Sequence, residues 1–190
     1  MEQGTQKTDS VYQIKITLTG FQPPIWRRMQ VRGNITLAVF HGVVQVVMGW
    51  SNSHLHRFIM QGTTYERPEQ GDVGANKPKD ERNFAVCDLV SQEGSQFTYV
   101  YDFGDNWQHD LLVEKIHPAE EDTHYPICLE GARACPPEDV GGIPGYEHFL
   151  DAIREPTHPE HQECLDWIGG TFDPEKFDLD KVNRTLRRSR

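Results

Sequence analysis

The sequence predicts a single α+β domain, a mixed and largely antiparallel sheet with helices packed on it, and three observations lead there. Aromatic and apolar residues alternate on both sides of a glycine turn between Gln96 and Lys115, the period-two pattern of a β-hairpin. Apolar residues recur at i, i+3, i+4 and i+7 from Phe40 and again through the last third of the chain, the period of helices with one buried face. With 190 residues, 36% hydrophobic and 25% charged, the composition is that of one globular domain. A chain of this length buries roughly 70% of its unfolded surface and needs neither disulfide nor metal to fold.

Met1 to Ser10 is polar and is expected to be a disordered tail, with the domain spanning 11–186 and a basic tail at 187–190. Val11 to Thr19 reads as the first strand, alternating from Ile14 onward. Pro23 and Pro24 remove ladder donors and end it. Ile25 to Arg32 returns as a second strand, with Trp26, Arg28 and Gln30 on one face and Ile25, Arg27, Met29 and Val31 on the other. A helix follows from Leu37 to Gly49, capped by Asn34 or Thr36, with Phe40, Val43, Val44 and Val47 on its buried face. His41 and Gln45 are expected on the opposite side. The chain resumes as a strand from His54 to Gln61, then enters a polar excursion, Gly62 to Asp80, that reads as a mobile loop. A short helix over Phe84 to Val90 would bury Cys87.

The hairpin carries the strongest local signal. Phe97, Tyr99, Tyr101 and Phe103 precede Gly104-Asp105-Asn106, and Trp107, His109, Leu111 and Val113 follow it. A three-residue loop pairs Phe103 with Trp107, Tyr101 with His109 and Tyr99 with Leu111, keeping both apolar sets on one face. A two-residue loop would set Asp102 on the face of His109 instead. Cys128 to Gly145 reads as a long loop rich in proline and glycine, leading into a helix that begins near Gly145. Tyr146 to Ile153, His161 to Ile168 and Leu179 to Leu186 read as three helices, the second started by Pro159. The basic tail beyond Leu186 is expected to fray.

Charge and cysteine usage narrow the function classes. The net charge is −10, from 19 basic and 29 acidic residues, which disfavours nucleic acid because phosphate contacts need cations. Arg27, Arg28, Arg187 and Arg188 are the local exceptions. The N-terminus lacks the apolar core of a signal peptide, and no apolar run approaches the ~20 residues of a membrane span. Cys87, Cys128, Cys135 and Cys164 are too scattered for a disulfide framework, so a cytoplasmic protein with reduced thiols is expected.

Three stretches hold polar residues that a scaffold alone does not require. His54 and His56 lie two apart, so on a strand they share a face about 6.5–7 Å apart and can share one metal ion. The plain alternative is a sheet face with two half-exposed histidines. Asp102, Asp105 and His109 flank the hairpin turn, where turn chemistry already accounts for Gly104, Asp105 and Asn106. His109 on an aromatic face is either a metal ligand or a hydrogen-bond partner of Tyr101. Cys128 and Cys135 stand six residues apart, a poor zinc spacing. Glu138 and Asp139, with Trp107, are candidates for contacting a ligand, and the N–H groups of the helix beginning near Gly145 could hold an anion. There is no phosphate loop and no nucleophile elbow.

The residues also resemble a known family. Pro24-Ile25-Trp26-Arg27-Arg28, Met48-Gly49-Trp50, His54-Leu55-His56-Arg57-Phe58, Tyr101 to His109, and Cys135-Pro136-Pro137-Glu138-Asp139-Val140-Gly141-Gly142 through Tyr146 occur in the order found in the plasmid Ri open-reading-frame-three-like family. The resemblance covers about Val11 to Leu186 and implies passenger proteins of insertion elements. Members carry resolvase-type labels and some sit beside repressor-like DNA-binding segments, but the resemblance brings no established activity, and this chain is acidic and shows no helix-turn-helix. The expected function is a binding or regulatory module of mobile-element origin that holds a small ligand or a divalent metal near His54, His56 and Asp102 to His109. The alternatives are a metal-dependent hydrolase, with His54, His56 and His109 on the ion and Asp102, Asp105 or Glu138 as further ligand or base, and a protein-interaction domain with structural histidines.

Overall fold

The computed structural model describes residues 9–68 and 77–188. Strands β1 (Ser10–Leu18), β2 (Trp26–Arg32), β3 (His56–Met60), β4 (Thr63–Glu66), β5 (Lys79–Asp80), β6 (Gln96–Tyr101), β7 (Trp107–Pro118) and β8 (Ile127–Ala132) form one sheet. Their order is β5-β4-β3-β6-β7-β1-β2-β8, and every adjacent pair is antiparallel except β4 with β5. Helices α1 (Leu37–Met48), α2 (Val86–Leu89), α3 (Gly142–Arg154), α4 (His161–Ile168) and α5 (Leu179–Arg188) complete the α+β architecture that the sequence predicts.

The sheet is one-sided, as its alternation requires. Ile14, Ile16, Met29, Val31, Phe58, Tyr99, Leu111 and Val113 enter the core. The other face carries Arg28, whose guanidinium pairs with Glu114 at 2.6 Å and also with Glu130, while Gln13 donates to Glu114 at 2.8 Å. Strand parity therefore sends Arg27 inward and Arg28 outward. Arg27 is 1% exposed and donates to the carbonyls of Trp26, Val47, Ala132 and Arg133, each at 2.8 Å, with its guanidinium 4.2 Å from the Phe177 ring centre. Neither arginine is free to contact phosphate.

Helix α1 forms despite its many valines because its buried stripe packs on the sheet, Phe40 stacking on Phe58 at 5.7 Å. Thr36 caps it by accepting from Val39 N, and Gly49 closes it at φ 103°. The polar residues of this helix correct the sequence reading. His41 and Gln45 are buried, not solvent-facing, because Tyr99 and Asn52 supply hydrogen bonds inside.

The hairpin register is also corrected. Tyr101 pairs with Trp107, Tyr99 with His109 and Phe97 with Leu111, so the loop is Asp102 to Asn106 rather than three residues. Asp102 turns left-handed (φ 54°) and gives its N–H to Leu55 O at 2.8 Å, leaving the hairpin ladder. The slip is by two residues, so the buried and exposed faces are unchanged. Phe103 is exposed, under Arg57 at 4.0 Å, instead of packed against Trp107.

Other boundaries move. Cys128 lies on β8 and not in a loop; this edge strand has no clean alternation and needs Gly131, where a Cβ would meet Arg27 Cδ at 2.7 Å and Phe177 at 2.8 Å. Helix α3 starts at Gly142, three residues earlier than the sequence suggests. The excursion expected as a loop contains β4 and β5, while its centre, 69–76, lies outside the described residues. Residues 1–8 of the expected N-terminal tail and 189–190 of the basic tail also lie outside them, and Ser10 already belongs to β1. Helix α5 continues past Leu186 to Arg188. Among the described residues no helix is long and apolar enough to cross a membrane.

Candidate functional site

The site forms where three loops meet: the turn after α1, the hairpin loop between β6 and β7, and the segment 136–141 before α3. Several bonds hold them together. Trp50 Nε1 donates to Pro136 O at 3.2 Å, Ser51 donates to Glu138 through both N (2.8 Å) and Oγ (3.0 Å), and Gly141 N donates to Asp105 Oδ2 at 3.0 Å. Tyr101 Oη donates to Glu138 at 3.2 Å and accepts from Ser53 N; burial first, then the nearby Glu138 carboxylate, pushes its phenol up to about 12.

His54 sits at this junction. Its Nε2 lies 3.1 Å from Asp139 Oδ1, 3.7 Å from Asp102 Oδ2 and 3.8 Å from Glu138 Oε2. That nitrogen is shut off from solvent, yet it makes a hydrogen bond to none of the three, because proximity without alignment is not a bond. Ligand atoms of His54, Asp102 and Asp139 fall within 4.8 Å of one another, the sole such set of three or more among the described residues. Donors around one cation at 2.0–2.2 Å stand about 3.0–3.4 Å apart, a spacing that His54 and Asp139 already have at 3.1 Å and that Asp102 and Glu138, at 3.7 and 3.8 Å, would reach by drawing in. One nitrogen with carboxylate oxygens is a donor set for zinc, manganese or iron.

Backbone strain concentrates here. Asn52 (φ 58°), Asp102 (φ 54°) and Asp139 (φ 59°) are three of the six non-glycine residues at positive φ among those described. Such conformations cost energy that tertiary contacts must repay, and they gather at functional sites. Asp102 is locked by its own turn: Oδ1 accepts from Gly104 N at 2.9 Å, leaving Oδ2 toward His54.

Beside His54 opens a cavity of about 740 Å³, lined by His41, His54, His56, Glu81, Arg82 and Phe103 among others. His56 faces a different carboxylate, its Nε2 lying 2.8 Å from Oε2 of the buried Glu81, and its ring stacks on His41 at 3.3 Å. Behind the stack runs a closed cycle. Gln45 Nε2 donates to Tyr99 Oη (3.0 Å), Tyr99 Oη meets His41 Nδ1 (2.8 Å), His41 Nε2 meets Asn52 Oδ1 (2.7 Å), and Asn52 N returns to Gln45 Oε1 (2.9 Å). Each acceptor in the cycle is satisfied only if neutral His41 carries its proton on Nε2. Burial, with His56 adjacent, lowers His41 to about 4, in agreement.

The structure thus separates residues that the sequence grouped. His54 lies before β3 and His56 on it, so the two do not share the extended segment expected of a chelating pair, and their nitrogens reach different acids. His109 is fully buried, with Nδ1 3.3 Å from Tyr99 O and its ring 5.2 Å from that of Trp50, and burial lowers it to about 3. It does not join His54. Asp105 ties the hairpin to Gly141 instead. Trp107 is a core side chain with no exposed surface to offer a ligand. Cys128 and Cys135 are thiols that burial holds neutral, Cys128 pushed up to about 11 and Cys135 further. Glu138 and Asp139 do come to His54. Glu81 and the cycle around His41 had no local signal; the polar run Ser51-Asn52-Ser53, one residue beyond the Gly49 helix stop, was the one hint available.

The model of the plasmid pRiA4b ORF-3-like protein family matches residues 10–181. A protein of Sinorhizobium fredii, described as uncharacterized protein y4hQ, is 38% identical over 179 residues, covering 93% of this chain and 91% of its own. The crystal structure of a protein of unknown function, MM3350 from Methanosarcina mazei Go1, superposes with a TM-score of 0.81 at 37% identity, covering 91% of this chain and 97% of that one.

Proposed function

The chain belongs to the plasmid pRiA4b ORF-3-like protein family, and on that premise we propose that it is a cytoplasmic binding or regulatory module of mobile-element origin that holds a divalent cation. His54, Asp102, Glu138 and Asp139 would supply the ligands, and the adjoining cavity of about 740 Å³ would receive a small molecule beside the ion. One observation carries this reading. A buried imidazole nitrogen without a hydrogen bond stands among three carboxylates. Left so, it forfeits a hydrogen bond worth about 1–3 kcal/mol, and the acids repel one another. A cation relieves both. The four free cysteines support the reducing compartment.

A metal-dependent hydrolase is the second reading, favoured by the room beside His54 for water and substrate. It differs from the first in predicting turnover of an added ester once the ion is bound.

Calorimetric titration of chelator-stripped protein with zinc and with manganese tests the cation. One equivalent is expected to bind, and His54→Ala is expected to weaken it at least about a hundredfold. His56→Ala leaves the affinity within a few-fold. No uptake by the wild type, or equal uptake by His54→Ala, would return these histidines to a structural role and direct attention to protein partners.

A glycine next to the site gives a second expected result. A Cβ on Gly145 would lie 2.0 Å from Val140 O, so Gly145→Ala must displace the segment carrying Glu138 and Asp139. Denaturant unfolding should register a loss of about 1–3 kcal/mol. The same variant should bind the cation more weakly than wild type.

A further inference from the structure

Helix α1 carries no polar side chain on its outer side. Leu37–Met48 contains no charged residue, its two polar side chains, His41 and Gln45, are 5% and 3% exposed, and Val39 on its outer side is 55% exposed. A surface helix normally sets charged or polar residues there. The inward polar pair is accounted for by the cycle through Tyr99 and Asn52. On the outer side Val39 and Gly42 are exposed, and Val43 and Val46, at i+4 and i+7 from Val39, lead from them into the core.

These residues form one wall of a cavity of about 410 Å³, closed on its other sides by Tyr125, Pro126 and Leu186, with Trp50 also in its lining. The volume is within the range of small-molecule sites, and the walls are mostly apolar. Among the described residues Arg32 is the sole charged one lining it. Its guanidinium lies 5.6 Å from the Tyr125 ring centre, and among the described residues no carboxylate is within ion-pair distance of it. An apolar cleft with one uncompensated cation at its edge complements a molecule of matching form.

We propose that this cavity binds a small amphiphile with an apolar body and one anionic group, of which a medium-chain carboxylate is the simplest example. The chain lies along Val39, Val46 and Leu186, and the carboxylate meets Arg32. This site is separate from the cation reading and stands without it.

The test titrates the full chain with decanoate and with decanol, in the presence of chelator, following heat and tryptophan fluorescence. A Cβ on Gly42 would have no atom within 4 Å, so Gly42→Leu fills the cavity without straining the helix, where leucine is the better former. Its melting temperature should match or exceed that of wild type, which separates blocked binding from misfolding. Decanoate is expected to bind roughly in the micromolar range, at least about tenfold tighter than decanol. Arg32→Gln should cost decanoate about tenfold and leave decanol unchanged, and Gly42→Leu should cost both. Absence of decanoate binding, equal affinity for the two probes, or decanoate affinity unaltered by Gly42→Leu would each overturn the proposal.

Discussion

Replacing Arg27 by alanine is expected to destabilise the protein by about 3–5 kcal/mol, a large part of the 5–15 kcal/mol that holds a domain of this kind. The side chain is buried and its N–H groups satisfy four carbonyls. One of them, Val47 O, belongs to the last turn of α1, where the helix dipole is negative and a cation is favoured. Alanine strands these acceptors in a cavity and removes the cation over Phe177. Arg27→Lys should recover only part of the loss, because an ammonium cannot reproduce a planar fork with four partners. Arg28→Ala is the control. Arg28 is half-exposed with its acids on the polar face, so its removal should cost at most about 1 kcal/mol. Guanidinium unfolding of the three variants at constant slope decides the matter. A loss below about 1 kcal/mol for Arg27→Ala would mean that the carbonyls find other donors.

Acid is the second large effect. Burial depresses His41 to about 4 and His109 to about 3 from the ordinary 6.5. Both are bases whose folded form refuses the proton, so the unfolded chain takes up more protons once the pH falls below about 6.5. Their contribution is complete above that pH. It is lost progressively down to about 4 for His41 and about 3 for His109. With two protons in play, stability should fall by roughly 2–3 kcal/mol per pH unit between 6 and 4.5, on the order of 5 kcal/mol from pH 7 to 4.5. Midpoints of guanidinium unfolding at pH 7.0, 6.0, 5.0 and 4.5 would measure it. His41→Gln should roughly halve the slope. A flat profile across this window would show that both rings gain protons in the folded state, and half the slope that one of them does.

What the sequence made legible follows from where the determining forces act. Strand faces, the α1 boundaries and the α+β class were readable because period and capping are local, as Thr36 and Gly49 illustrate. The inward turn of Arg27 was readable from parity alone, though its burial was not. The hairpin register was missed because Asp102 leaves the ladder for Leu55, a residue more than forty positions earlier in the chain. No local rule anticipates that bond. His41 and Gln45 were placed outside for a similar reason: their polarity is satisfied by Tyr99 and Asn52, which only the fold brings near. His54, Asp102, Glu138 and Asp139 were all singled out from sequence, and His54 was grouped with Asp102 and, in the hydrolase alternative, Glu138, but with His56 and His109 in place of Asp139. His56 was assigned to His54 by adjacency, whereas β3 begins only at His56 and the two nitrogens diverge to Glu81 and Asp139. Residue type marked the candidates; backbone direction decided which of them come together.

X-ray absorption at the zinc edge, on protein loaded with one equivalent, would show whether a cation sits among His54 and the three acids. One imidazole nitrogen and three or more oxygens at about 2.0–2.2 Å are expected around the zinc, with no sulfur, and the imidazole signal should be lost in His54→Ala. A sulfur shell near 2.3 Å would place the ion at a cysteine, and a shell of two or more imidazoles would place it at other histidines. Either would contradict the assignment.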